Sequence, residues 1–236
     1  MEKQEKIVSM FNDIAPTYDT ANRVLSMGID ISWRNKACNK AFELYNKKSI
    51  EKIVDVACGT GDMILFWKQN AQKKSIALKN IVGVDPSVGM MEVAKKKLPE
   101  VEFIEAFATS MPLDDNSADI ISISYGIRNV VERQKAFLEF ARVLKKDGLV
   151  VISEFTKNPK ENIFDYITDF YMNKILPIVG GIISKNKEAY EYLPNSIDDF
   201  LTTKNLQEEL KNAGLEPIYT KSFSMKISTL IIAKKL

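Results

Sequence analysis

The amino-acid sequence predicts an α/β protein with a mostly parallel, seven-stranded sheet that ends in an antiparallel hairpin. Strand-like and helix-like segments alternate five times between residues 53 and 155, which is the pattern of a parallel sheet with helical crossovers. A glycine-rich turn at 57–61 links the first strand to a helix. The last two apolar segments are joined only by residues 224–226, too short a link for a parallel crossover, so they predict a hairpin.

The individual elements follow from apolar periodicity and from glycine and proline breaks. We expect strands at 53–58, 80–85, 101–105, 118–124, 149–155, 216–223 and 227–233. The crossover and C-terminal helices are expected near 62–72, 87–97, 131–145 and 203–213.

Residues 1–48 are predicted to form a helical N-terminal cap. Apolar residues recur at helical spacing, with a break at Pro16 and a stop at Gly28. The segment 11–19 mixes aromatic and acidic residues, so it suits either a layer packed on the sheet or a flap over a ligand site.

Residues 157–202 are predicted to be an insertion that forms a helical lid. The segment 177–183 is apolar but too short to cross a membrane, and lysines flank it at positions 160, 174, 185 and 187. The lid could simply pack against the cap. Alternatively, lid and cap together could enclose a large apolar substrate or touch a membrane surface.

Composition favours one compact domain, 1–236, with 45% hydrophobic and 27% charged residues. The net charge of +2 gives no reason to expect nucleic-acid binding. The absence of histidine excludes imidazole bases and His-ligated zinc, and the two cysteines lack metal-site spacing, so no metal is expected. The N-terminal residues 1–6 lack the apolar segment of a signal peptide, which favours a cytoplasmic location.

The glycine turn identifies the ligand class more closely. A dinucleotide fingerprint needs a third glycine where this chain has Ile64, whereas Asp55, Gly59 and Gly61 form the DxxxGxG pattern typical of S-adenosylmethionine enzymes. Asp55 or Asp62 could hold the ammonium group of that ligand, or Asp55 could only tie down the turn. With the C-terminal hairpin, the pattern favours a Rossmann-like class I methyltransferase over a dehydrogenase.

Asp85 ends the second predicted strand, 24 positions after Gly61. That spacing is expected of a carboxylate that binds the ribose hydroxyls of a nucleoside. Asp85 could also cap the following helix, but the matched spacing of acid and turn favours ribose binding.

Three stretches resemble the UbiE-type C-methyltransferases of ubiquinone and menaquinone synthesis, and the resemblance spans nearly the whole chain. The first runs from Tyr18 to Asn22 and continues through Leu25, Ser26, Gly28, Trp33 and Arg34; the second is 55–62; the third is 124–129 followed by 142–145. The glycine turn is common to many methyltransferases. The first and third stretches are specific to the family.

This resemblance implies that Thr60, Asp85 and Ser124 line an S-adenosylmethionine site, with the backbone near Phe107 and Ala108. The family usually has His at position 30, where this chain has Asp30, and Asn or Asp at position 107. Any role of the family's histidine would therefore pass to the carboxylate of Asp30. Phe107 has no polar group for the adenine, but its ring could stack on the adenine.

The resemblance also implies a polyprenylated quinol substrate, methylated on a ring carbon: most favourably demethylmenaquinol, alternatively the benzoquinol of ubiquinone synthesis or another small aromatic or lipid. We hypothesise that Arg128 stabilises the phenolate, that Asn129 and Tyr18 orient the ring, and that Asp19 or Asp30 acts on the proton through water. The prenyl tail would stay in the bilayer, making the enzyme peripherally membrane-associated. The oligomeric state is left open between monomer and homodimer.

Overall fold

The computed structural model describes residues 2–158, 163–184 and 186–236. Two of the lysines that flank the apolar lid segment, Lys160 and Lys185, lie outside these ranges. The strands are β1 Ser49–Val56, β2 Ala77–Asp85, β3 Glu102–Glu105, β4 Ala118–Ser124, β5 Leu144–Glu154, β6 Leu215–Phe223 and β7 Ser228–Lys235. The helices are α1 Glu2–Ile14, α2 Tyr18–Leu25, α3 Ile29–Tyr45, α4 Asp62–Lys73, α5 Val88–Lys97, α6 Arg133–Val143, α7 Ile163–Phe170, α8 Leu176–Ser184, α9 Lys187–Asp198 and α10 Thr203–Asn212.

The seven strands form one sheet in the order β3-β2-β1-β4-β5-β7-β6. The pairs among β1 to β5 are parallel, and β7 runs antiparallel to both β5 and β6. The predicted mostly parallel sheet with a terminal hairpin is therefore confirmed. Strand order reverses between β1 and β4, so their carboxyl ends open a crevice at this switch point.

Alternating side chains on the strands bury two apolar clusters, one on each face of the sheet. Val54 and Ile121 face the cluster that includes Phe137 and Phe140 of α6. The opposite cluster contains apolar side chains of β1, β4 and β7 with those of α3 and α4, including Ile53, Ile120, Ile232, Ala41 and Trp67. Both cysteines, Cys38 and Cys58, are buried in this second cluster without a disulfide.

Three strands begin at least three residues earlier than predicted: β1 at Ser49 rather than 53, β2 at Ala77 rather than 80, and β5 by the largest margin. The helix expected to run to residue 145 ends at Val143, and β5 begins at Leu144 rather than at 149. Leu144 pairs with Ala118 in the sheet, and the register shifts before Ile120 pairs with Leu149. The charged residues 145–148 therefore form an irregularity within β5 rather than a separate loop.

The cap and the lid pack on each other over the carboxyl edge of the sheet. A third apolar cluster joins Ile14 and Leu25 of the cap to Leu176 and Tyr190 of the lid, with Met90 of α5. Within the described ranges, the lid consists of α7, a π-helical segment at Tyr171–Ile175, α8 and α9. Among the described helices, none combines the length and the apolar character that a membrane span requires.

Candidate active site

The turns after β1 and β2 are fixed to each other by the carboxylate of Asp85. The backbone N–H of Gly59 donates to Asp85 Oδ2 and that of Ser87 donates to Oδ1, both at 2.8 Å. Burial raises the pKa of Asp85 to about 6, although the two backbone hydrogen bonds lower it. The N-cap of α5 is Ser87, whose hydroxyl accepts from Met90, so Asp85 does not itself cap the helix.

The two glycines of the turn have different tasks. Both have positive φ, 53° at Gly59 and 79° at Gly61, a conformation that favours glycine. A Cβ at Gly59 would meet open space, whereas one at Gly61 would lie 3.1 Å from Leu98 Cδ1 and 3.3 Å from Ala94 Cβ. Gly59 therefore leaves room for a ligand, and Gly61 lets the start of α4 approach α5 closely.

A cavity, here called the turn cavity, lies above these turns. Five of the predicted cofactor residues line it, namely Gly59, Asp85, Phe107, Ala108 and Ser124. The hydroxyl oxygen of Ser124 is buried and has no hydrogen-bond partner, which is uncommon for a buried polar atom. The Phe107 side chain is 44% exposed at the cavity edge. These groups fit a nucleoside-bearing cofactor: an open glycine, a carboxylate with free lone pairs, an unsatisfied hydroxyl and an exposed ring.

Helix α1 covers the turn cavity and is attached to both sides of it. At one end Gln4 Nε2 donates to the carbonyl of Asn129 at 3.1 Å, and the N–H of Val131 donates to Gln4 Oε1 at 3.0 Å. At the other, Asn12 Oδ1 accepts from Ser87 Oγ at 2.7 Å and from the N–H of Gly89 at 2.9 Å. The segment 11–19 therefore includes part of a cover over the cavity, although the roles of Gln4 and Asn12 were not anticipated.

The other predicted cofactor residues lie outside the turn cavity and support the turn. Asp55 is 1% exposed and accepts a 2.6 Å hydrogen bond from Ser122 Oγ, which in turn accepts from Trp67 Nε1 at 2.9 Å. Burial raises the pKa of Asp55 to about 7, although the bond from Ser122 lowers it. Asp55 thus supports the turn only indirectly, because it links β1, the strand that leads into the turn, to Ser122 of β4.

An ionic network holds the cap against the turn. Lys97 Nζ bridges Asp19 at 2.6 Å and Asp62 at 2.8 Å, and Thr60 Oγ1 donates to Asp19 at 2.5 Å. Arg23 pairs with Asp62 on one side. Burial opposes ionisation of Asp62, but Lys97 and Arg23 outweigh it and lower the pKa of the carboxyl group.

Asp30 belongs to the same network. It pairs with Arg23, accepts from Ser26 Oγ at 2.7 Å, and lies 3.8 Å from Arg34 Nε. It is 5% exposed and contributes to the lining of a second cavity. Neither Arg23 nor Lys97 was anticipated, because nothing in their local sequence distinguishes them from surface cations.

The second cavity, here called the apolar cavity, lies between cap, lid and sheet edge. Its lining is dominated by apolar and aromatic side chains, including Met10, Ile14, Leu25, Trp33, Phe155 and Leu176. Its volume of about 370 Å³ exceeds the roughly 290 Å³ of the turn cavity. Phe11, Tyr18 and Tyr125 line both cavities, so these three side chains form a shared wall.

Arg128 reaches the apolar cavity but is already extensively bonded. Its Nη1 donates to Glu154 Oε1 at 2.6 Å and to the carbonyl of Tyr125 at 2.7 Å, and its Nε donates to Ser196 Oγ at 3.3 Å. Glu154 is fully buried, and the Arg128 side chain is 6% exposed. The guanidinium also lies 5.4 Å from the ring centroid of Phe155. The charge of Arg128 is therefore largely neutralised by a buried partner.

Asn129 lines the turn cavity only, whereas Tyr18 lines both cavities. Asn129 Oδ1 accepts from Tyr192 OH at 3.0 Å. Burial raises the pKa of Tyr18, although Asn22, Arg128 and Arg34 lower it, so its hydroxyl stays protonated at neutral pH. The structure thus brings Tyr18, Asp30 and Arg128 to the apolar cavity and Asn129 to the turn cavity. Asp19 remains in the ionic network.

A family model described as the ubiE/COQ5 methyltransferase family matches residues 1–235. The chain belongs to the ubiE/COQ5 methyltransferase family. The resemblance noted in the sequence is therefore confirmed, as is the prediction of an enzyme that methylates carbon in quinone biosynthesis. Family and fold together imply S-adenosylmethionine as the methyl donor.

Individual relatives cover the whole chain. The ubiquinone/menaquinone biosynthesis C-methyltransferase UbiE of Campylobacter jejuni is 60% identical over 236 residues, which is all of both chains. The demethylmenaquinone methyltransferase of Chlorobaculum tepidum is 36% identical over 99% of this chain and 94% of its own. That of Thermus thermophilus is 37% identical over 89% and 93%.

Solved structures confirm the methyltransferase fold. A possible histamine N-methyltransferase of Thermotoga maritima aligns with a TM-score of 0.63 at 20% identity, over 97% of this chain and 99% of its own. An S-adenosylmethionine-dependent methyltransferase of Aquifex aeolicus aligns with a TM-score of 0.56 at 16% identity, over 79% and 82%. At such identities the likeness concerns the fold alone.

Proposed function

We propose that this enzyme transfers the methyl group of S-adenosylmethionine to a ring carbon of a polyprenylated quinol, with demethylmenaquinol as the preferred substrate. The observation that carries the proposal is that two cavities of different character are adjacent, because Phe11, Tyr18 and Tyr125 line both of them. One cavity suits a polar nucleoside and the other an apolar ring, and methyl transfer requires the two ligands to meet. The names of the relatives support the same substrate class.

The turn cavity is the proposed cofactor site. Each oxygen of the Asp85 carboxylate accepts one backbone hydrogen bond and keeps a lone pair for a ribose hydroxyl. Ser124 offers an unpaired hydroxyl, and Phe107 and the backbone of Ala108 border the space proposed for the adenine. The residues 55 and 60–62 act indirectly, by holding the turn in shape. When bound, the cofactor would supply a methyl group on a sulfonium: a bond from the ring carbon to the methyl group forms as the carbon–sulfur bond breaks, and the neutral thioether leaves.

The chain's own part is to position the ring and to favour its deprotonated form. A quinol oxygen that loses its proton donates electron density to the neighbouring ring carbon, and that carbon loses its own proton once the new bond has formed. Arg128 contributes positive charge, while Tyr18, which keeps its proton, and Asn129 orient the ring. Asp19 or Asp30, both held in the ionic network, receives the proton through water. Alignment of reacting atoms can contribute about 7–11 kcal/mol to such a reaction.

The test is methyl transfer from isotopically labelled S-adenosylmethionine to a short-chain demethylmenaquinol, with the methyl position read by mass spectrometry and NMR. A ring C-methyl product is the expected result. Product from the benzoquinol of ubiquinone synthesis, but none from demethylmenaquinol, would reassign the substrate. Cofactor binding without transfer to either quinol would refute the proposed reaction while leaving the cofactor site in place.

The proposed enzyme works at a membrane surface, on its cytoplasmic face. Among the described residues, twelve of the eighteen exposed large apolar side chains belong to the α2–α3 region, the lid and the β6–β7 turn: Val24, Met27, Ile29, Ile31, Ile163, Tyr166, Ile167, Phe170, Ile175, Ile178, Ile182 and Met225. Met27, Ile29, Ile167 and Met225 also line the apolar cavity. Apolar patches that surround a binding site are typical of surfaces that enter an interface. A prenyl tail could then remain in lipid while the ring enters the cavity.

Co-flotation with phospholipid vesicles tests this surface. The double variant Met27→Ser/Met225→Ser should bind vesicles at least about tenfold more weakly, because each exposed methionine would otherwise bury apolar area in lipid. Leu138→Ser serves as the control, since Leu138 is 52% exposed on α6, outside the cavity lining. Equal flotation of all three proteins would show that the patch does not contact lipid. Turnover of a short-chain quinol in detergent should be retained in Leu138→Ser, because Leu138 lies outside the lining of the apolar cavity.

A further inference from the structure

Arg34 is a buried cation with unused hydrogen-bond donors. It lies on α3, is 7% exposed, and lines the apolar cavity. Its Nε and Nη1 atoms are buried and have no hydrogen-bond partner. Leaving charged donors buried and unpaired is costly, so nearly all such groups in folded proteins are bonded to something. This arrangement indicates a ligand with an acceptor atom in the cavity.

The surroundings of Arg34 stabilise its charge without using these donors. The nearest Asp30 oxygen is 3.8 Å from Nε, close enough for attraction but too far for a hydrogen bond. The guanidinium also lies 5.2 Å from the ring centroid of Tyr125. In Arg128, by contrast, Nε and Nη1 are committed to Ser196, Glu154 and the Tyr125 carbonyl. Of these two arginines, Arg34 has donors to offer to an incoming oxygen.

A second unsatisfied polar group lines the same cavity. The hydroxyl of Tyr190 is buried and has no hydrogen-bond partner, although the rest of the side chain packs in the apolar cluster between cap and lid. The cavity thus offers an apolar space with one charged donor group and one neutral hydroxyl. The complementary ligand is a flat apolar ring with two oxygens, one of which can carry a negative charge.

We propose that Arg34 binds the deprotonated oxygen of the quinol ring directly and is thereby a catalytic residue, with Tyr190 at the other ring oxygen. The proposal deepens the function given above and rests on it. Two N–H donors of one guanidinium suit an oxyanion, and the charge favours the form of the ring whose carbon attacks the methyl group. Arg128 then adds charge from within its ion pair, while Arg34 makes the contact.

The experiment measures binding of 1-naphthol to the full-length enzyme in the presence of S-adenosylhomocysteine, with naphthol and naphtholate distinguished by their absorbance spectra. The wild-type protein should bind the naphtholate form at a pH where free naphthol is protonated. Arg34→Gln should weaken this binding about ten- to a hundredfold, the usual effect of losing a hydrogen bond to a charged group, and the bound spectrum should become that of the neutral phenol. Arg34→Lys should still bind part of the naphthol as naphtholate, because the positive charge remains.

Matched measurements separate this role from a structural one. Lys36→Gln removes a charge from an exposed position of the same helix and should leave naphthol binding unchanged. Arg34→Gln breaks no hydrogen bond at Nε or Nη1, so its S-adenosylhomocysteine affinity should match that of the wild type, while its thermal midpoint measures separately the loss of the contacts to Asp30 and Tyr125. In methyl transfer, its pH–rate profile should shift to higher pH, since the phenol must ionise without help.

The outcomes are distinguishable. Equal naphtholate binding by the wild type and Arg34→Gln would overturn the role of Arg34 and leave the proposed reaction intact. If neither protein bound naphthol or methylated a quinol, the proposed function itself would fail. Should Arg34→Gln lose cofactor affinity as well, Arg34→Lys decides: restored cofactor binding with no bound naphtholate would also overturn the proposal.

Discussion

The affinity for the cofactor should depend on the ionisation of Asp85. Burial raises the pKa of this carboxyl group to about 6 in the free protein. Ribose hydroxyls donate hydrogen bonds, so they bind the ionised carboxylate better than the neutral acid. A ligand that prefers the ionised form lowers the pKa of Asp85 on binding. Its affinity must therefore fall as the pH drops through about 6.

The size of the effect follows from the titration. If only the ionised form binds well, the apparent dissociation constant is multiplied by one plus the ratio of protonated to ionised Asp85. With a pKa of about 6 this factor is about 1.1 at pH ~7 and about 11 at pH ~5, a tenfold loss of affinity, or roughly 1.4 kcal/mol. Above pH ~7 the affinity should be flat.

Isothermal titration with S-adenosylhomocysteine between about pH 5 and 8 measures this dependence. Asp85→Asn should bind more weakly at neutral pH and should lose the inflection near pH 6, because the amide does not titrate. Asp55, whose pKa is about 7, still titrates in this variant, so the variant also shows whether Asp55 causes the inflection. An inflection that persists in Asp85→Asn would assign it to another group and refute the reasoning, as would a flat profile in the wild type.

Three other perturbations address the framework of the site. Glu154→Gln leaves the buried charge of Arg128 without its partner and should lower the free energy of unfolding by about 3–5 kcal/mol in urea titrations; an unchanged midpoint would contradict this. Asn12→Ala removes an acceptor of two hydrogen bonds over the turn cavity and should speed S-adenosylhomocysteine release about tenfold in stopped-flow experiments, whereas an unchanged rate would mean that α1 does not gate the cavity. Gly61→Ala should destabilise the protein by about 1–2 kcal/mol more than Gly28→Ala, since both have positive φ but only Gly61 faces close neighbours; equal thermal midpoints would exclude a packing role.

The sheet was predictable because its signals are local. Apolar runs bounded by turns marked each strand, and the short 224–226 link required a hairpin. The error at β5 arose where local and long-range signals disagree. Residues 145–148 look like a turn, but the pairing of Leu144 with Ala118 depends on a strand 26 positions earlier, which periodicity does not reveal.

The cofactor side of the site was also largely predictable, since it depends on backbone geometry near short motifs. Gly59, Asp85 and Ser124 lie where the strand ends placed them. The partners Arg23, Lys97 and Gln4 were missed because their contacts, apart from that of Arg23 with Asp30 seven positions away, join residues 35 to 127 positions apart. Nothing in a single sequence separates a cation in such a network from one on the surface.

Arg34 did leave a signal in the sequence. It stands four positions before Cys38 and seven before Ala41, which are both fully buried, so helical spacing places a charge on the apolar face of α3. Asp30, four positions earlier, puts a carboxylate on the same face. A buried charge of this kind is retained only with a partner or a ligand. The pattern therefore indicated a buried ion pair or a ligand-binding arginine, although not its location between cap and lid.

The residues at the end of β4 lie between the two cavities. Ser124 lines the turn cavity, Tyr125 lines both cavities, and a Cβ on Gly126 would lie 2.6 Å from that of Ala57. Tyr125 has a φ of 59°, a conformation that costs a non-glycine residue about 1–3 kcal/mol, and it is held by the bond from its N–H to the Ser153 carbonyl at 2.7 Å. We infer that this strain persists because an aromatic wall is needed where the methyl group passes. Glycine, which has no Cβ, would relieve the backbone strain but would remove the aromatic wall.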